Sequence, residues 1–138
     1  MNVSAVSSKS SVLIVDDEDP VRRFVDRVLR EAGYRTVMAA SGHEALKLAL
    51  EAGPFDLLVT DVMMPEMTGD ECARRMRLQE PTMKVLYLTG FSDRLFSEKS
   101  TLWQDEAFLE KPCTVRGLLE AASLLLTGRF ELPDNPST

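Results

Sequence analysis

The sequence predicts an α/β fold: one five-stranded parallel sheet with helices on both faces. Three observations carry this. Five short apolar runs alternate with helix-like segments along the chain, and successive parallel strands need a crossover that a helix supplies. The runs, such as Val12-Leu13-Ile14-Val15 and Leu57-Leu58-Val59, are apolar at consecutive rather than alternate positions, which suits strands covered on both faces. Between them, apolar residues recur at three- and four-residue spacing behind capping residues, the pattern of amphipathic helices.

The first strand spans residues 11–15 and runs into Asp16-Asp17-Glu18-Asp19-Pro20. Asp19 is the expected N-cap of the first helix, with Pro20 at its first position. Val21, Phe24, Val25, Val28 and Leu29 form its core-facing stripe, and Gly33 marks its end. A second strand follows at 34–39. Ser41 then caps a helix, and Glu44 three residues later completes a capping-box pattern. Gly53-Pro54 stops that helix. The third strand, 56–60, delivers Asp61 to its carboxyl end before Pro65 breaks regular structure. Residues 70–79 form a third helix with Cys72, Ala73 and Met76 inside. The fourth strand, 84–88, ends at Thr89-Gly90, and residues 92–103 read as a fourth helix. A short fifth strand, 107–109, leads to Glu110-Lys111-Pro112. Thr114 caps a last helix that carries Val115, Leu118, Leu119, Ala122, Leu125 and Leu126 and closes at Gly128.

A chain of 138 residues can bury one core and is short for two. The expected organisation is a flexible polar leader at 1–10, a folded domain at 11–128 and a flexible tail at 129–138. Apolar residues at 44% and charged residues at 28% are those of a soluble globular protein. A net charge of −6 repels phosphate backbones and speaks against nucleic-acid binding. The pairs Arg22-Arg23 and Arg74-Arg75 lie in acid-rich helical segments and read as solvated faces. Cys72 and Cys113 lack metal-ligand spacing and read as free thiols of a reducing compartment. No apolar run approaches a membrane span and the start of the chain lacks a signal-peptide core, so a cytoplasmic location with no membrane contact is expected.

The chemistry lies in the residues that end the strands. Strand one leads to Asp16 and Asp17, strand three to Asp61, strand four to Thr89 and strand five to Lys111. In a parallel sheet these converge at one edge, where open α/β sheets bind ligands. Three carboxylates together need a counter-charge. Oxygen-only ligands with room for water suit Mg²⁺, while a hydroxyl and an ammonium are donors for an oxyanion. Together they describe a phosphoryl-transfer site, in which positioning and charge neutralisation do most of the catalysis.

The chain resembles the receiver domain of two-component response regulators. The matching blocks are Val12-Leu13-Ile14-Val15-Asp16-Asp17-Glu18, Asp56 through Pro65 with Gly69, Val85-Leu86-Tyr87-Leu88-Thr89-Gly90, and Phe108-Leu109-Glu110-Lys111-Pro112. Any one block is a weak signal; four in this order and spacing, covering residues 11–128, are specific. The resemblance implies a flavodoxin-like (αβ)5 sheet of strand order 2-1-3-4-5. It implies that Asp61 accepts a phosphoryl group from a phosphohistidine on a histidine kinase or histidine phosphotransfer protein. Asp17, Asp61 and the Met63 carbonyl would hold Mg²⁺ directly, with Asp16 acting through water. Thr89, Gly90 and Lys111 would bind the phosphoryl group. Thr89 and Phe108 would be the switch pair, and a cis bond before Pro112 would aim Lys111 inward. Phosphorylation would shift the face of helix four, strand five and helix five, which is the expected partner or homodimer surface. The chain would promote its own phosphorylation and dephosphorylation without turning over an external substrate. The third block and the residues after it, 85–93, resemble receivers of hybrid kinases, so a stand-alone regulator and a receiver excised from a hybrid kinase both fit.

Met63 and Phe91, two residues past Asp61 and Thr89, stand where such domains often carry polar side chains. Large apolar groups there hinder an attacking water, and a slowly hydrolysing acyl phosphate is expected. Two other readings compete. Asp17-Glu18-Asp19-Pro20-Val21 matches the nucleophile motif of haloacid-dehalogenase-like phosphatases, although the chain is short for that fold and the motif leaves Asp61 and Thr89 without partners. A degenerate receiver acting only by protein binding is disfavoured by the full set of acids, Thr89 and Lys111. His43 reads as an exposed surface histidine, Cys113 as a packed thiol, and Met67 and Trp103 have no role that the sequence supplies.

Overall fold

The computed structural model describes residues 10–90 and 105–128. Its elements are β1 (Ser11–Val15), α1 (Asp19–Glu31), β2 (Arg35–Ala39), α2 (Gly42–Ala52), β3 (Leu57–Asp61), α3 (Gly69–Arg77), β4 (Lys84–Thr89), β5 (Glu106–Glu110) and α4 (Val115–Thr127). The five strands form one parallel sheet in the order β2-β1-β3-β4-β5. The expected fourth helix at 92–103, Phe91, Trp103, the tail at 129–138 and all of the leader but Ser10 lie outside the described residues.

The consecutive apolar runs work because each strand residue feeds one of two cores. Leu13, Val15, Leu58, Val85 and Tyr87 point to one face and pack with residues of α2 and α3, including Ala45, Cys72, Ala73 and Met76. Val12, Ile14, Leu57, Val59, Leu86 and Leu88 point to the other and meet Val25, Val28 and Leu29 of α1 and Leu118 and Ala122 of α4. Alternate Cβ atoms on a strand take opposite faces, so a central strand must be apolar throughout. The outer strands β2 and β5 are only partly buried, as edge positions require.

Several local expectations shift by a residue or two. Asp61 and Thr89 are the last residues of β3 and β4 rather than the first after them. The N-cap of α1 is Glu18, and Asp19 is already helical. The Glu18 carbonyl accepts the first helical hydrogen bond from Arg22 N–H at 3.0 Å, and the Asp16 carboxylate takes the Glu18 N–H at 2.8 Å. Asp19 is left free to pair with Arg22 and Arg23. At α2 the Ser41 hydroxyl accepts from Glu44 N–H at 3.1 Å, but the Glu44 carboxylate reaches back one residue further than a capping box predicts, to Ala40 N–H at 2.7 Å. Thr68 and Thr114 cap α3 and α4, and Gly128, at φ 73°, closes α4. Phe24, expected inside, is exposed.

Two glycines let the chain close around the carboxyl edge of β3. A Cβ on Gly69 would stand 2.1 Å from the Asp61 carbonyl oxygen. No side chain fits there, and the Gly69 N–H instead donates to the Val62 carbonyl at 2.7 Å. A Cβ on Gly42 would meet the Met67 sulfur at 2.7 Å. Met67, for which the sequence offers no role, is buried against α2 and pins the loop between β3 and α3. The Lys111–Pro112 bond is cis, as is Gly53–Pro54.

Candidate functional site

The sheet order puts the ends of β1, β3 and β4 side by side, with β5 next to β4. Asp16 follows β1 and is fully buried, Asp61 ends β3 and is buried, and Asp17 is exposed. One carboxylate oxygen from each of the three lies within 4.8 Å of the others. Lys111, just past β5, answers this charge. Its Nζ stands 3.2 Å from Asp16 Oδ2, 3.2 Å from Asp61 Oδ1 and 3.1 Å from Glu18 Oε1. The Lys111 N–H donates to the Thr89 carbonyl at 2.9 Å, which fastens the base of the lysine to the end of β4. Thr89 is buried and Gly90 follows it.

Asp16 is held from two sides. Its Oδ1 accepts from Glu18 N–H, and its carbonyl accepts from Arg22 Nη1 at 2.7 Å. Its Oδ2 is buried with no hydrogen-bond partner of good geometry, and its neighbour is the Lys111 ammonium in ion-pair range at 3.2 Å. A buried carboxylate oxygen in that state calls for a further ligand. With two more carboxylates beside it and no nitrogen or sulfur donor among them, the residues fit a hard divalent cation such as Mg²⁺.

Electrostatics follow from this crowding. Burial, then the Asp16 charge beside it, pushes the Asp61 carboxyl up from 3.8 to about 6, with Lys111 opposing. Burial raises Asp16 as well, against the Glu18 N–H and Lys111. Burial alone would lower Lys111, but the Asp16 and Asp61 carboxylates outweigh it and hold the ammonium charged above the ordinary lysine range.

Other residues named from the sequence stand around this edge. Met63 is on the loop after β3 and 51% exposed, and Phe108 is in the middle of β5 at 47%. Sequence reasoning missed Glu18 and Arg22 as parts of the site. The signal for Glu18 is its place directly after the acid pair. For Arg22, a basic residue one helical turn beyond that pair is too common to stand out.

Comparison with known proteins agrees with the geometry. The family model for the response regulator receiver domain matches residues 12–123. The chain belongs to that family. It is 35% identical over 115 residues to the response regulator receiver protein CpdR of Brucella abortus (strain 2308), covering 83% of this chain and 95% of that one. It is 35% identical over 122 residues to the sensor kinase CckA of the same organism, covering 88% of this chain and 13% of the kinase. The crystal structure of the receiver domain from hybrid histidine kinase CckA superposes with a TM-score of 0.72 at 34% identity, covering 85% of this chain and 100% of that one.

The protein is thus a receiver domain of two-component signalling, a family whose members are phosphoacceptors that use Mg²⁺ at an acidic pocket and interact with histidine kinases and downstream effectors. The phosphatase reading is not favoured: Asp19, its second acid, pairs with Arg22 and Arg23 instead of joining Asp17. Among the described residues no helix is long and apolar enough to cross a membrane.

The raised Asp61 value predicts a pH signature for metal-free protein. The folded state holds the Asp61 proton more tightly than the unfolded chain, so ionisation between the unfolded value of 3.8 and about 6 removes stability as pH rises. Asp61→Asn abolishes that loss. At pH about 7.5 the variant should be more stable than wild type by about 1–3 kcal/mol, and the gain should nearly vanish near pH 4. Urea denaturation at both pH values measures this; equal stabilisation at the two, or none at the higher, contradicts it.

Proposed function

We propose that Asp61 is the phosphoacceptor of a phosphorelay. An Asp61 carboxylate oxygen attacks phosphorus of a phosphohistidine on a histidine kinase or histidine phosphotransfer protein, the P–N bond breaks, and an acyl phosphate forms. Asp16, Asp17, Asp61 and the Met63 carbonyl would hold Mg²⁺, Asp16 through water, and the ion supplies positive charge against the phosphoryl oxygens. Lys111 pairs with one phosphoryl oxygen. The Thr89 hydroxyl and the Gly90 N–H donate to others. The observation that carries this reading is the convergence of three carboxylates and one ammonium at the carboxyl ends of β1, β3 and β5.

On phosphorylation Thr89 moves toward the phosphoryl group and Phe108 swings inward behind it. Phe108 stands half-exposed on β5 in this structure, the outward position from which such a swing would start. The output is then a shift of the surface that carries β5 and α4, which recognises a protein partner or a second copy. Residues 11–128 act as the phosphorylated unit, in the cytoplasm.

Phosphotransfer profiling tests the assignment. With Mg²⁺ and a panel of autophosphorylated histidine kinases or phosphotransfer proteins, one or more should move its label to the wild type, and intact and peptide mass should place the added phosphate on Asp61. Asp61→Asn should take none. Label found on another residue, or retained by Asp61→Asn, contradicts the proposal.

Met63 sets the lifetime of the product in this reading. Its thioether side chain offers an attacking water no good hydrogen bond and covers part of its path. Met63→Asn supplies one hydrogen bond worth about 1 kcal/mol, so dephosphorylation of Asp61 should quicken about fivefold. A wild type that loses phosphate as fast as the variant contradicts this role.

A further inference from the structure

Glu18 is the acid at this edge that neither the metal nor the phosphoryl chemistry uses. As the N-cap of α1 it could turn its carboxylate onto the helix N-terminus, yet it makes no side-chain cap hydrogen bond. Its backbone is fixed by the bond from Glu18 N–H to Asp16 Oδ1. Its side chain crosses to Lys111, where Oε1 stands 3.1 Å from Nζ.

A lysine ammonium has three N–H donors, and three carboxylates surround this one: Asp16, Asp61 and Glu18. The ammonium hydrogen-bonds Glu18, while Asp16 and Asp61 lie in ion-pair range, so an incoming phosphoryl oxygen that pairs with Lys111 competes first with Glu18. Asp16 and Asp61 are buried at strand ends, whereas the Glu18 side chain is 60% exposed. Glu18 is the one that can yield. Charge counting gives the same emphasis. Four carboxylates and one ammonium leave the site three negative charges, a bound divalent cation reduces this to one, and without Glu18 it is zero.

We infer that Glu18 is a specificity-determining residue that competes with the phosphodonor for Lys111 and so favours donors of low negative charge over small dianionic ones. Repulsion scales with the product of charges. Acetyl phosphate, a dianion at neutral pH, therefore meets a higher threshold than phosphoramidate, a monoanion that resembles a phosphorylated imidazole in its P–N bond. Both reactions form a bond from Asp61 oxygen to phosphorus. Acetyl phosphate loses its P–O bond and releases acetate with the electron pair; phosphoramidate, as the N-protonated zwitterion, loses its P–N bond and releases ammonia.

The inference rests on Asp61 as phosphoacceptor, and its test separates the two. Phosphorylation rates of the full chain are measured with each donor at saturating Mg²⁺ for wild type, Glu18→Gln and Glu18→Ser, the last supplying a good helix cap. Both variants should speed reaction with acetyl phosphate about fivefold and with phosphoramidate by less than about twofold. The difference should shrink in high salt. Equal changes with both donors, or no change with acetyl phosphate, overturn the role of Glu18. A wild type that neither donor modifies at Asp61 overturns the phosphoacceptor reading itself.

Discussion

One ammonium set among carboxylates is the constraint on which the rest of this structure depends. Asp16 and Asp61 are buried at the ends of neighbouring strands, and the Asp16 charge adds to the cost of ionising Asp61. Buried like charges are tolerated only beside a compensating charge. Lys111 supplies it from β5, two strands away from β3 in the sheet. The protein thus keeps a strained electrostatic arrangement at the one edge where chemistry occurs. Such an arrangement favours the arrival of a divalent cation, because an added positive charge relieves repulsion that folding alone leaves in place.

The backbone around the site is shaped to hold that arrangement. The chain leaves β3 at Asp61 and returns at Gly69, whose missing side chain lets it touch the Asp61 carbonyl. Met67 anchors the intervening loop against Gly42 of α2. On the other side Asp16 serves the fold and the site together: one oxygen fixes the entry to α1 through Glu18 N–H, and the other faces Lys111. Arg22 holds the carbonyl of the same residue. A change at Asp16 therefore disturbs helix entry and acid geometry at once, which is why charge and turn geometry cannot be tuned independently here.

The strands were legible because central strands of a two-sided sheet must be apolar at every position, and Val12 to Val15 and Leu57 to Val59 are. The acids, Thr89 and Lys111 were legible as strand-terminal residues. The strand order was not readable from pattern; it came with the family resemblance and agrees with the observed pairing. The α1 cap was misread because Asp19 followed by Pro20 is a strong local signal, while the Asp16 carboxylate that captures Glu18 N–H is a matter of three-dimensional placement. The links from Glu18 to Lys111, 93 residues apart, and from Gly42 to Met67 belong to tertiary structure and leave no mark in local sequence.

The most direct measurement of the account is the unfolding free energy of Lys111→Met beside wild type, without metal and in millimolar Mg²⁺. If the ammonium is the counter-charge of the acid cluster, the variant should lose about 3 kcal/mol without metal. Mg²⁺ should then restore most of that loss, stabilising the variant more than the wild type. A variant as stable as wild type in metal-free buffer, or a loss that Mg²⁺ leaves unchanged, would contradict it.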